Sequence, residues 1–206
     1  MMRGNYPTLH RMKSLLPFTV AITLLFALCP AMANETRADG KSPSGKIAWH
    51  IVETKDGAEV LISEGDQEES AAVKLCDTIS LPNTKVHVSP DDFWIIVESG
   101  TGSLGISLAV YQREKGMIYK EQADMDIGGI VAKAAFKAAG NEAAADKLDH
   151  VYTHLLAWSS DSNSIVVEVS GHGGKTHLGP YVAAFELGKK TAGLDLTKFN
   201  AKSVHP

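Results

Sequence analysis

Two stretches of the chain repeat each other at an offset of 70 residues, and this repeat limits the possible folds more than any other feature. Val88-Ser89-Pro90-Asp91-Asp92 lies on Trp158-Ser159-Ser160-Asp161-Ser162, and Ile95-Ile96-Val97-Glu98 lies on Ile165-Val166-Val167-Glu168. Each apolar run ends in Ser-Gly and a glycine-rich loop. Each loop leads into a segment ending in an aromatic residue, Tyr111 or Phe185, and then a charged turn with Gly and Lys. Short runs dense in β-branched and aromatic residues, bounded by Gly, Ser and Asp, read as strands. Residues 93–98 (FWIIVE) and 106–111 (ISLAVY) are therefore expected to form a hairpin across the loop 99–105. Repeated supersecondary units set the architecture.

The turn that opens each unit has a physical logic. Pro fixes φ, and Asp or Ser oxygens accept hydrogen bonds from backbone N–H groups two residues on. With Ser89-Pro90-Asp91 in one copy and Trp158-Ser159 with Asp161 in the other, the unit resembles a blade of TolB-like β-propeller repeats. The resemblance covers about 84–122 and 153–192, and Gly is missing at the last turn position, where Asp92 and Ser162 stand. It implies a binding platform rather than catalysis. Closed propellers have about four to eight blades, so two copies do not close a ring. The expected fold is α+β: mostly antiparallel sheet built from two propeller-blade-like repeats with a helical insertion between them. A partial propeller that associates with itself or with another exported protein is the variant.

The rest of the chain divides around these units. Residues 34–46 are polar and rich in Gly, Ser and Pro and read as a flexible leader. Residues 47–52 and 59–63 read as strands joined by Lys55-Asp56-Gly57, and 65–70 as an acidic loop. The segments 71–75, 84–88 and 117–122 read as extended. From Gly128 to His154 the composition turns helical. Gly140 is placed to end one helix and Asn141 to cap the next, in which Ala144, Leu148, Val151, Tyr152 and Leu155 share one face. Strands resume at 155–158, 165–169 and 181–187, with a glycine-rich loop at 171–174. One globular domain is expected over 47–200, with a frayed tail at 201–206.

The N-terminus sets the compartment. Residues 15–28 (LLPFTVAITLLFAL) carry no charge, follow Arg3, Arg11 and Lys13, and precede Ala31-Met32-Ala33. Basic, apolar and small-residue regions in that order define a secretory signal peptide over 1–33, cleaved between Ala33 and Asn34. The apolar run falls short of the roughly 20 residues that span a bilayer. Met12 offers a second start with a compact basic region. The full chain is −4, and cleavage removes only basic charges. A net acidic domain without a basic run does not suit nucleic acid or an anionic membrane. Cys76 alone remains, so no intramolecular disulfide forms and the core must hold the domain. This combination points to a bacterial periplasm.

Candidate chemistry is sparse. Gly100-Thr101-Gly102-Ser103-Leu104-Gly105 fits G-x-G-x-x-G, but a dinucleotide site needs that motif to open a helix, and strand follows here. Ser170 and His172 share the loop 170–174, too close in sequence to be a productive pair. Cys76 reads as a buried structural thiol. Two site hypotheses remain. Under the first, a non-enzymatic binding or scaffold domain uses Trp94, Trp158, Ser103 and His172. Under the second, Asp146, His150, His154, His172 and His177 hold zinc, copper or nickel in a metal-dependent protein or hydrolase, because imidazoles at i and i+4 of a helix can share an ion.

Overall fold

A computed structural model describes residues 37–65, 71–193, 200 and 203–205. The expected signal peptide and most of the acidic loop lie outside the described residues. The fold is α+β, mostly antiparallel sheet. One sheet has four strands in the order β1 (Arg37–Lys41), β2 (Ile47–Thr54), β3 (Gly57–Glu64), β4 (Val73–Thr78). The second has nine. It begins with β5 (Thr84–Val88), β6 (Trp94–Gly100), β7 (Gly105–Lys115) and β8 (Ile118–Glu121). Helix α1 (Ile127–Ala138) and a 3-10 segment (Glu142–Lys147) follow. Then come β9 (His150–Trp158), β10 (Ser164–Gly173), β11 (Thr176–Glu186), β12 (Thr191–Ala192) and β13 (Val204–His205). The order is β12-β11-β10-β9-β7-β6-β5, with β8 on β7 and β13 on β11. No helix among the described residues is long and apolar enough to cross a membrane.

The four-stranded sheet is one antiparallel meander, and the nine-stranded sheet is a second and a third, β5–β8 and β9–β12, joined where β7 runs parallel to β9 for two residues, Gly105↔Val151 and Ile106↔Tyr152. Gly105 permits this join: its φ is +142°, and a Cβ there would lie 1.8 Å from the Val151 carbonyl oxygen. Strand alternation sends successive side chains to opposite faces, and β6 is apolar on both because both are covered. Ile95 and Val97 pack with Ile47, Ile51, Val60 and Ile62 of the first sheet. Trp94 and Ile96 join Val131 and Phe136 of α1 and Ile165, Val167 and Phe185 of the third meander. Asp126 caps α1 by accepting from Gly129 N–H at 3.0 Å, and Gly140, at φ +78°, follows its end.

The two repeat turns are alike bond for bond. Ser89 N–H donates to the Trp94 carbonyl at 2.9 Å, Asp92 N–H to the Ser89 carbonyl at 3.0 Å, and Trp94 N–H to Ser89 Oγ at 2.9 Å. Ser89 Oγ and Phe93 N–H both reach Asp91 Oδ1, at 2.6 and 3.0 Å. In the later copy Ser159, Asp161, Ser162, Asn163 and Ser164 make the same five bonds at 2.6–3.1 Å. There the Ser159 hydroxyl and the Asn163 N–H hold the Asp161 carboxyl at about 2.

A third copy stands at Ser42-Pro43-Ser44-Gly45-Lys46, inside the expected leader. Ser42 N–H donates to the Ile47 carbonyl at 2.8 Å, Gly45 N–H to the Ser42 carbonyl at 2.9 Å, and Ile47 N–H to Ser42 Oγ at 3.2 Å. Ser42 Oγ and Ser44 Oγ bond at 3.0 Å, and Lys46 N–H reaches Ser44 Oγ at 3.1 Å. The leader is therefore corrected to strand and turn from Arg37 onward, since β1 pairs with β2 from Arg37↔Val52 to Lys41↔Ala48. The tail is corrected too: β13 pairs with β11, and the Ser203 hydroxyl donates to the Pro180 carbonyl at 2.8 Å.

The three turns also bond to one another, which explains the missing glycines. The last turn position has φ of +75° at Gly45, +60° at Asp92 and +61° at Ser162. Left-handed backbone is costly for a residue with a Cβ, yet both non-glycine side chains are used. Ser44 Oγ donates to the Asp92 carboxylate at 2.6 and 2.8 Å, and Asp91 N–H donates to Ser162 Oγ at 3.2 Å. Asp92→Ala keeps the strain and loses the bonds, so it is expected to cost about 2 kcal/mol in urea unfolding. Asp92→Gly relieves the strain and should recover about 0.5–1 kcal/mol of that. Equal losses in the two variants would show that the backbone conformation contributes nothing.

The second expected helix is also corrected. Only Glu142–Lys147 coils, and His150–Trp158 is strand. The apolar spacing fits a helix, but Val151, Tyr152 and Thr153 are β-branched or aromatic. β10 then supplies a ladder running from His150↔His172 to Trp158↔Ile165.

Candidate functional site: a histidine row across four strands

Strand β9 separates the histidines that a helix would have paired. His150 and His154 lie four residues apart on an extended strand, roughly 13 Å, beyond the reach of one ion. His150 instead stands directly opposite His172 of β10. His172 stands opposite His177 of β11, and His177 opposite His205 of β13. Directly paired residues share a face of the sheet, so four imidazoles form one row across four strands. His172, His177 and His205 are exposed, and His150 is partly covered. The His150 and His172 rings stack with centroids 4.6 Å apart, and the His177 and His205 rings lie 6.1 Å apart and nearly parallel.

Asp149 completes one end of the row. Its Oδ1 lies 2.6 Å from His150 Nδ1 and 4.0 Å from His172 Nδ1. The imidazole of His150 beside it holds the Asp149 carboxyl below the usual range. Each of Asp149, His150 and His172 presents one donor atom within 4.8 Å of the others, a geometry that can admit a metal ion. Backbone pairing fixes the group, with Asp149 N–H donating to the His172 carbonyl at 3.2 Å. Asp149 also lines a cleft of about 560 Å³ where β7 and β9 part beside α1, with Asp126, Gly128, Val151 and Thr153 on its walls.

The remaining expected ligands go elsewhere. Asp146 is exposed and pairs with Lys133 at 3.5 Å. His154 serves Glu98, a carboxylate on β6 that is only 3% exposed. Glu98 accepts from Lys85 Nζ at 2.8 Å and from the Leu155 N–H at 3.2 Å; His154 Nδ1 lies 3.0 Å away and His87 Nε2 3.6 Å. Burial alone would raise this carboxyl. The interactions with His87, Lys85, His154 and the Leu155 N–H outweigh it and hold Glu98 well below the carboxylate range.

The aromatic platform does not form. Trp94 is 7% exposed within the core, and Trp158 packs against the same core with its indole nitrogen buried. Ser103 lies in the exposed 3-10 turn Gly102–Leu104, in the hairpin loop expected for G-x-G-x-x-G. Residues 171–173 continue strand β10 instead of forming a loop, so the turn is confined to Gly174-Lys175. Cys76 is half-buried in β4, and burial pushes its thiol up, which makes it a poor nucleophile.

Sequence reasoning missed Asp149 and His205. Asp149 adjoins His150, but a helical reading turns adjacent residues apart, and His205 fell in the expected frayed tail. No protein-family model matches the chain, and no curated protein matches it.

Proposed function

We propose that this chain is an exported, periplasmic, non-enzymatic binding domain whose ligand is a divalent transition-metal ion, zinc or copper, taken by Asp149, His150 and His172. The observation that carries the reading is the convergence of three donor atoms within 4.8 Å at the end of an exposed histidine row. Imidazole and carboxylate suit zinc, copper and nickel. In this reading the three meanders are TolB-like blades in a partial propeller, supported by their matching turns. They serve as a rigid scaffold, because paired strands hold His150 and His172 in place more firmly than loops would.

Calorimetric titration of the purified protein with zinc and copper(II) tests the assignment. His150→Ala and His172→Ala should each abolish the ion at this end of the row. Asp149→Asn should weaken it roughly 10–100-fold, whether the carboxylate coordinates directly or orients His150. Binding that is unchanged in all three variants sinks the proposal. Export has its own check: protein recovered from its host should begin at Asn34 by intact mass, and a retained N-terminus would refute cleavage there.

A further inference from the structure

We infer that the other half of the row, His177 and His205, is a second and separate transition-metal site, and that occupying it fastens strand β13 to the sheet. Three inter-strand spacings of about 4.8 Å put the ends of the row about 14 Å apart. With metal–imidazole bonds of about 2.0–2.1 Å, one ion cannot collect all four imidazoles, so the row divides between its two ends. Asp149 claims the His150–His172 end. That leaves His177 and His205, directly opposed residues with near-parallel rings at 6.1 Å. Both side chains are exposed and stand at directly opposed positions on neighbouring strands, so an ion can reach both from solvent.

The consequence follows from how little holds β13. The strand itself has two residues and two ladder partners, His177↔His205 and Leu178↔Val204; the segment before it is held by the Gly179 N–H on the Ser203 carbonyl, the Ser203 hydroxyl on the Pro180 carbonyl and the Asn200 side chain on Val182. Residues 204 and 205 lie beyond those anchors, on the two-residue ladder. An ion bridging the pair binds the docked form and not the released one, so it draws the segment onto β11 by mass action. Two imidazoles leave coordination positions for water or an outside donor. The site can therefore take an ion from solution or pass it on.

The two-ion count rests on the proposed function, but the His177–His205 end does not. The experiment titrates the purified protein with zinc and with copper(II), and follows hydrogen exchange of residues 203–205 with and without metal. Two ions per chain are expected. Exchange at 203–205 should slow about 100-fold at free metal one hundred times the dissociation constant. The double variants H177A/H205A and H177Q/H205Q should each retain one ion and lose the metal-dependent protection. H150A/H172A should lose the other ion and keep the protection. A single ion per chain unaffected by changes at 177 and 205, a single ion per chain that disappears with either pair of variants, or no effect of metal on 203–205 would each overturn this site. Loss of binding at the His150–His172 end alone would leave it standing and refute the proposed function.

Discussion

Replacing Phe136 with alanine should destabilise the protein by about 3–5 kcal/mol. Phe136 is fully buried on α1, in the core that also holds Ile96, Val110, Ile165, Val167 and Phe185. The helix packs against β7, β9, β10, β11 and β12, so the ring fills the space between the second and third meanders. Those meanders share two residue pairs of ladder, and most of their cohesion is this apolar packing. The cavity left by alanine cannot be closed by sliding a strand without breaking that short ladder. Urea unfolding should show a lower midpoint, and Phe136→Leu should recover more than half of the loss. A cost below about 1 kcal/mol would mean that the helix is not integral to the fold.

Glu98→Ala should cost about 3 kcal/mol. The substitution removes an acceptor shared by Lys85, His154 and the Leu155 N–H, and leaves that half-buried N–H without its partner. Lys85 is exposed enough to return to water, so no buried cation is stranded, which keeps the cost below that of a fully enclosed ion pair. The pH dependence has a definite sign. The carboxyl of Glu98 is lower in the folded protein than in the unfolded chain, where it sits near 4.3. Its contribution is therefore complete above that value and disappears as pH falls from about 5 through the folded value. Wild-type stability should decline over that acid range more steeply than that of Glu98→Gln. Parallel pH profiles would show that the carboxylate charge does not stabilise the fold.

Some of this fold could be read from the residues. The β6–β7 hairpin was legible because its strands are dense in Ile, Val and aromatics and its loop in Gly. The α1 helix was legible from its alanines and the glycine after its end. The first turn copy was hidden because Ser42-Pro43-Ser44-Gly45 has serine in place of aspartate and sits in polar sequence. Its identity lies in hydrogen bonds that serine and aspartate both supply. Strand β9 was hidden for another reason. Leu148, Val151, Tyr152 and Leu155 satisfy helical spacing, and only the partner β10 decides in favour of a strand. The histidine row depends on that same pairing. Residues 150, 172, 177 and 205 have no common spacing in the chain, and cross-strand register alone brings them into line.

The slender join at Gly105 has a mechanical meaning. A nine-stranded sheet welded at two residues is two plates meeting along a short line, with α1 packed across both. The cleft beside Asp149 opens from that line. A side chain at 105 would drive the plates apart at the weld. Whatever occupies the cleft therefore touches both plates beside the end of the row at His150.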